Sequence, residues 1–213
     1  MICNRNLFID GPAGRLEAIY SPVTAETLPP VLLCHPHPLH GGTMHTKLIY
    51  WLARFFHGLG CTTLRFNFRG VGLSEGAWDE GRGEAEDAVA GLRWLLNHSA
   101  HAQCWIAAFS FGCYAGLQAM HRVPDVSHFF AVAPAVNLYD FDFLEGETRP
   151  IDVIHGTADE IVPYDEVKNW QSRYENIHLS TIDGAGHFFV NEKERLEQAI
   201  LSRIQHLSPG VQD

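Results

Sequence analysis

The stretch CWIAAFSFGCYAGLQAM, Cys104 to Met120, sets one hydroxyl, Ser110, among residues that are otherwise almost all apolar or small. The run from Cys104 to Phe109 is apolar throughout and of strand length, as expected where helices cover both faces of a sheet. Phe111 and Gly112 then open a helical run. Ser110 falls at the turn between the two and has two possible roles: a filler hydroxyl bonded to a carbonyl inside a core helix, or a nucleophile held at a sharp strand-to-helix turn. Neither admits a membrane span, because Ser110, Gly112, Gly116 and Gln118 interrupt the run and a span needs about 20 apolar residues.

The segments on either side place this unit in a repeating pattern. Upstream, LFIDG and RLEAIYSP alternate and are joined by Gly11-Pro12-Ala13-Gly14, which predicts an antiparallel hairpin. VLLCHP is a continuous apolar run and reads as a buried strand. Thr43 to Leu59 reads as a helix, with Leu48, Leu52, Phe55, Phe56 and Leu59 at helical spacing and Gly60 closing it. The strand CTTLRFNF and the helix EAEDAVAGLRWLLNH lead into Cys104. After the helix CYAGLQAMHR come the strands HFFAVAPA and IDVIHG, the helix YDEVKNWQSRY, the strand HLSTID and the helix ERLEQAILSRIQHL. Strand and helix alternating from Val31 onward predict one α/β domain over residues 1–213. Its sheet is mostly parallel and doubly wound, led by the antiparallel hairpin and joined by right-handed crossovers. Only VNLYDFDFLEGETRP separates HFFAVAPA from the next strand, which leaves no room for a cap domain.

Composition narrows the class of protein. With 213 residues, 46% of them hydrophobic, the chain can bury one sizeable core. A net charge of −10 repels phosphate backbones and anionic lipid, so neither nucleic acid nor membrane is an expected partner. MICNRNLFIDG has no apolar core and no small-residue cleavage site of a secretion signal. The five cysteines, Cys3, Cys34, Cys61, Cys104 and Cys113, include no C-x-x-C pair and fit free thiols in a reducing cytoplasm.

In sheets of this kind ligands sit at the carboxyl ends of the strands, so the residues just past each strand are informative. VLLC runs into HPHPLHGG, CWIAAF into Ser110, IDVIHG into TADEIVP and HLSTID into GAGHFF. Around Ser110 the positions two before and two after are Ala108 and Gly112, the small residues that a nucleophile elbow needs. A serine needs a base, and the base an orienting acid. Asp159 and His187 lie past the next eligible strand ends, in the order Ser, Asp, His. Singly, Asp159 is a turn residue ahead of Pro163 and His187 one of thirteen histidines. Together they predict a triad of Ser110 as nucleophile, His187 as base and Asp159 as orienter, with Asp140 and Asp142 as fallback acids.

The motifs HPHPLHGGTM, NFRGVGLSEG, AFSFG, HGTADEIVP and GAGHFF resemble the α/β-hydrolase fold family, closest to the small lidless bacterial serine hydrolases related to dienelactone hydrolases. The resemblance covers nearly the whole chain and implies the same three roles for Ser110, His187 and Asp159. It departs from dienelactone hydrolases proper, which carry a cysteine at the elbow; here the nearest thiol, Cys113, lies inside the following helix. Arg69, in NFRGVG, reads as a structural charge.

An oxyanion hole needs two N–H donors. One is expected from Phe111, after the nucleophile, and the second from HPHPLHGG. Pro36 and Pro38 have no N–H, which favours His37, with Leu39 as runner-up. The expected activity is cofactor-free hydrolysis of small or medium carboxylic esters or thioesters through an acyl-enzyme. The cleft is expected to be open, walled by Phe109, Phe111, Phe188, Phe189 and Trp78, in a monomer or homodimer. Two competitors come from other classes. One is a metal-dependent hydrolase using His35, His37 and His40, although Leu39 replaces the aspartate that such a motif needs. The other is a hydrolase-fold binding module without chemistry.

Overall fold

The computed structural model describes residues 4–207 and places Cys104 to Phe109 at the centre of an eight-stranded sheet. The hairpin strands are β1 (Arg5–Gly11) and β2 (Gly14–Ser21), followed by β3 (Val31–Cys34), α1 (Lys47–Gly58), β4 (Thr63–Phe66) and α2 (Arg82–Leu96). Then come β5 (Cys104–Phe109), α3 (Phe111–Arg122), β6 (Val126–Val132), β7 (Ile151–Gly156), α4 (Tyr164–Gln171), β8 (Ile177–Ile182) and α5 (Lys193–Leu207). The sheet order is β1-β2-β4-β3-β5-β6-β7-β8. β1 with β2, and β2 with β4, are antiparallel; every other neighbour is parallel.

The apolar strand runs are explained by the two cores they separate. In β5, Cys104, Ile106 and Ala108 pack with Leu92 of α2, Leu117 of α3 and Val167 of α4, while Trp105, Ala107 and Phe109 pack with Leu52 of α1 and Ile200 of α5. Alternate side chains of one strand therefore fill opposite layers, and no position is left for a polar residue. The chain runs from β3 out to β4 and back past β3 to β5. This reversal makes β3 and β5 neighbours, with Cys34 opposite Ala108, and opens a crevice at their carboxyl ends.

Several expected boundaries move. β3 stops at Cys34, before His35-Pro36. α1 starts at Lys47 rather than Thr43, because Thr46 N–H donates to the Thr43 carbonyl at 2.9 Å and the Asn67 carboxamide takes the Met44 N–H at 2.8 Å. β6 ends at Val132; Ala133 turns out of the ladder with φ 46°, so the final Ala-Pro-Ala of HFFAVAPA is loop. The alternation also breaks once: β6 and β7 are joined without an α-helix, by a loop holding the 3₁₀ turn Asp142–Leu144, and no cap is present there. Cys34, Cys61, Cys104 and Cys113 are buried free thiols; Cys3 lies outside the described residues. Among the described residues no helix is long and apolar enough to cross a membrane.

Candidate active site

Ser110 sits between β5 and α3 with φ 55° and ψ −118°, a conformation costing a non-glycine residue about 1–3 kcal/mol. The surroundings hold it there. Its N–H donates to the Val132 carbonyl at 2.9 Å, and its own carbonyl accepts from Cys113 N–H at 3.0 Å. A Cβ on Gly112 would lie 2.4 Å from the Cys34 carbonyl oxygen and 2.6 Å from that of His35, so only glycine lets α3 approach the end of β3. Beneath the turn, the Cys113 thiol donates to the Ala108 carbonyl at 3.3 Å, and burial pushes its pKa well up. It is a structural thiol.

Asp159 and His187 converge on this serine. The Asp159 Oδ2 accepts from His187 Nδ1–H at 2.8 Å, which leaves His187 Nε2 as acceptor for the Ser110 hydroxyl at 3.1 Å. Both Asp159 and His187 are buried. Burial alone would raise the carboxyl pKa, but the His187 hydrogen bond, with N–H donors of Val162 (2.8 Å) and Ile161 (2.9 Å) on Oδ1, holds it below the usual range. Two neighbours complete the frame and carried no sequence signal. Glu160 accepts the His187 N–H at 3.1 Å; buried His155 donates from Nε2 to the Val162 carbonyl at 2.9 Å, which supports the loop that holds Asp159. The fallback acids are engaged elsewhere: Asp140 accepts the Asp142 N–H at 2.8 Å, and Asp142 pairs with Arg173. Arg69 forms a buried two-pronged ion pair with Asp87, at 2.8 and 3.0 Å.

Between Pro36 and Gly42, the loop after β3 has one N–H left over. The N–H groups of His40 and Gly42 donate to the His37 carbonyl at 3.1 and 3.0 Å, Gly41 N–H donates to the Pro38 carbonyl at 3.3 Å, and Leu39 N–H donates to His37 Nδ1 at 3.1 Å. The N–H groups of His37 and Phe111 have no protein acceptor among the described residues. His35 fixes the loop from below. Phe68 N–H donates to its Nε2 at 3.1 Å, so the proton is on Nδ1, which donates to the Pro36 carbonyl at 2.7 Å. Full burial drops the His35 pKa to about 4 and keeps it neutral. The His37 ring lies between His40 (4.3 Å) and Trp78 (4.6 Å).

These contacts redistribute the histidine cluster and two of the expected cleft walls. His35 uses both ring nitrogens inside the fold, and among the described residues no group of three or more His, Cys, Asp or Glu is arranged to hold a metal ion. A cleft of about 430 Å³ opens over Ser110, with Phe109, Phe111, Leu138, Tyr139, Ile161 and Phe188 among its walls. Phe189 is not one of them: it is fully buried in the α1–α5 core. Trp78 packs behind His37 and Phe111 rather than lining the cleft.

A family model described as the alpha/beta hydrolase fold matches residues 29–147. An uncharacterized protein of Rickettsia prowazekii is 40% identical across 91% of this chain and 86% of its own length. A protein of unknown function from Agrobacterium tumefaciens has a solved structure with a TM-score of 0.90 and 36% identity, covering 97% of this chain and 98% of that one. An α/β serine hydrolase without a lid, from Xanthomonas campestris, has a TM-score of 0.88 and 32% identity over 98% of this chain and 97% of its own. A match over more than half of the chain, with relatives that align along nearly all of it, shows that the chain belongs to the alpha/beta hydrolase fold family.

Proposed function

We propose that the protein is a serine hydrolase of the carboxylesterase or thioesterase kind, acting without a cofactor on small to medium acyl substrates. The observation that carries this reading is the unbroken chain of hydrogen bonds from Ser110 through His187 to Asp159, at 3.1 and 2.8 Å, ending on a serine held in a strained elbow. Ser110 Oγ attacks the acyl carbon as its proton passes to His187 Nε2; Nδ1–H stays on Asp159 and the imidazolium is stabilised by that carboxylate. The developing oxyanion is bound by the free N–H groups of His37 and Phe111, each worth about 3 kcal/mol in the transition state. His187 then gives its proton to the departing alcohol or thiol, leaving the acyl group on Ser110. Water repeats the sequence, losing a proton to His187 and releasing the acid.

The apolar cleft, with Leu138, Ile161 and Phe188 exposed at its mouth, suits an acyl chain rather than a polar head. A chain of net charge −10 suits neither nucleic acid nor anionic membrane as partner, and we place it in a reducing cytoplasm on its four buried free thiols, as a one-domain monomer or homodimer. Intact-mass spectrometry after a fluorophosphonate probe, beside hydrolysis of a short p-nitrophenyl ester, tests the reading. One adduct and turnover in the wild type, both absent in Ser110→Ala, are expected. No adduct and no turnover in the wild type would leave a binding module on a hydrolase scaffold.

A further inference from the structure

Arg65 is an interior cation without a counter-ion. It lies on β4, only 4% exposed, and no carboxylate among the described residues is within ion-pair distance of it. Its one hydrogen bond to protein is from Nη1 to the Met44 carbonyl at 3.1 Å, and its guanidinium carbon stands 5.4 Å from the centre of the Tyr50 ring. A buried charge left with one neutral acceptor and a ring face is costly unless something else completes it. Arg65 lines a pocket of about 260 Å³ between α1 and the antiparallel β2–β4 pair, which shares no lining residue with the Ser110 cleft.

A second cation, Arg54, stands on the pocket wall, and the other lining residues include polar Asn4, Ser21, Tyr50, His57 and Thr63. On α1, Tyr50, Arg54 and His57 stand at i, i+4 and i+7 and share one face. Arg54 donates to the Tyr50 hydroxyl at 3.2 Å and sits 5.8 Å from the same ring. Asn4 accepts the Ser21 hydroxyl through Oδ1 at 2.7 Å, which leaves its Nδ2 donors free. Among the described residues no carboxylate lines the pocket, in a chain whose net charge is −10.

We propose that this pocket binds a phosphate dianion, free or as the head of a small phosphomonoester, between the guanidinium groups of Arg65 and Arg54. Planar forks of N–H donors match the tetrahedral oxygens of phosphate, and two cations match a dianion better than one carboxylate. The site is separate from the proposed hydrolytic centre and does not depend on it.

Calorimetric titration of the full chain with inorganic phosphate, at about pH 8 where the dianion dominates, tests this. The expected dissociation constant is near or below about 1 mM, weakened at least about tenfold in Arg54→Gln and in Arg65→Gln. Arg54 is exposed, so its variant folds even if the buried Arg65 change does not, and unchanged ester hydrolysis in Arg54→Gln separates this site from the Ser110 cleft. Tighter binding of glycerol phosphate than of inorganic phosphate would identify an organic ester as the occupant; equal or weaker binding would identify the free anion. No saturable heat, affinity unchanged in Arg54→Gln, or the same response to chloride at matched ionic strength would overturn the site.

Discussion

The N–H of Leu39 is held by Nδ1 of His37 at 3.1 Å, so of these two N–H groups only that of His37 is left without a protein acceptor among the described residues, as the proposed oxyanion hole requires. A side-chain truncation cannot remove that donor, but proline can. His37 has φ −52°, within the range proline imposes. His37→Pro is expected to lower kcat by about 10²–10³ relative to His37→Ala, which loses the ring and keeps the N–H. Equal rates in the two variants would remove His37 from the oxyanion hole.

Ser110→Ala should cost about a million-fold in kcat if the three residues act as a unit. Steady-state hydrolysis of a p-nitrophenyl ester measures it. A loss below about tenfold would place the chemistry elsewhere.

Asp159→Asn separates folding from orientation. The amide oxygen can still accept from Ile161 and Val162, so thermal unfolding should shift little. The carboxamide presents an N–H toward His187 and favours the wrong tautomer, with an expected loss of about 10⁴ in kcat. A loss below about tenfold would return the acid role to Asp140 or Asp142.

Burial of His35 makes a pH-dependent contribution to stability. Its folded pKa of about 4 lies below the ordinary 6.5, so on acidification the unfolded chain takes up this proton first. The stability it confers is complete above pH 6.5 and is lost progressively as pH falls toward 4. A gap of that size corresponds to about 3 kcal/mol. Urea unfolding across this window should show a shallower decline in His35→Gln than in the wild type. Parallel curves would mean that His35 is not the group responsible.

Gly112→Ala should destabilise by about 1–3 kcal/mol, since the new methyl meets the carbonyls of Cys34 and His35 and both are backbone. Because these carbonyls lead into the His37 loop, ester turnover should fall as well. A urea midpoint equal to wild type would show that the elbow can relax.

The parts of this site that can be read from sequence are those set by strand ends and chain order. Ser110, Asp159 and His187 each come just after a strand, and parallel β5, β7 and β8 bring those ends to one edge. The supporting contacts are less legible, because Glu160 and His155 act through a backbone N–H and a carbonyl whose positions exist only in the folded loop. Phe188 and Phe189 are adjacent and chemically alike, yet one is 54% exposed and the other fully buried. Phe189 has a positive φ of 49° and packs in the α1–α5 core, a local turn that composition does not signal. HFFAVAPA reads as strand throughout by composition, but Ala133 leaves the ladder by the same kind of turn.

The sheet order has a consequence for a protein emerging from the ribosome. β8, which carries His187 on its following loop, is the last strand in chain order among the described residues and takes the outer position beside β7. A nascent chain that has emerged through β7 and the loop after it already contains Ser110 and Asp159 but lacks His187, the proposed acceptor of the serine proton. Under the proposed chemistry such a chain is inert toward the acyl esters around it, and reactivity begins only when β8 docks and brings the loop of His187 over Ser110.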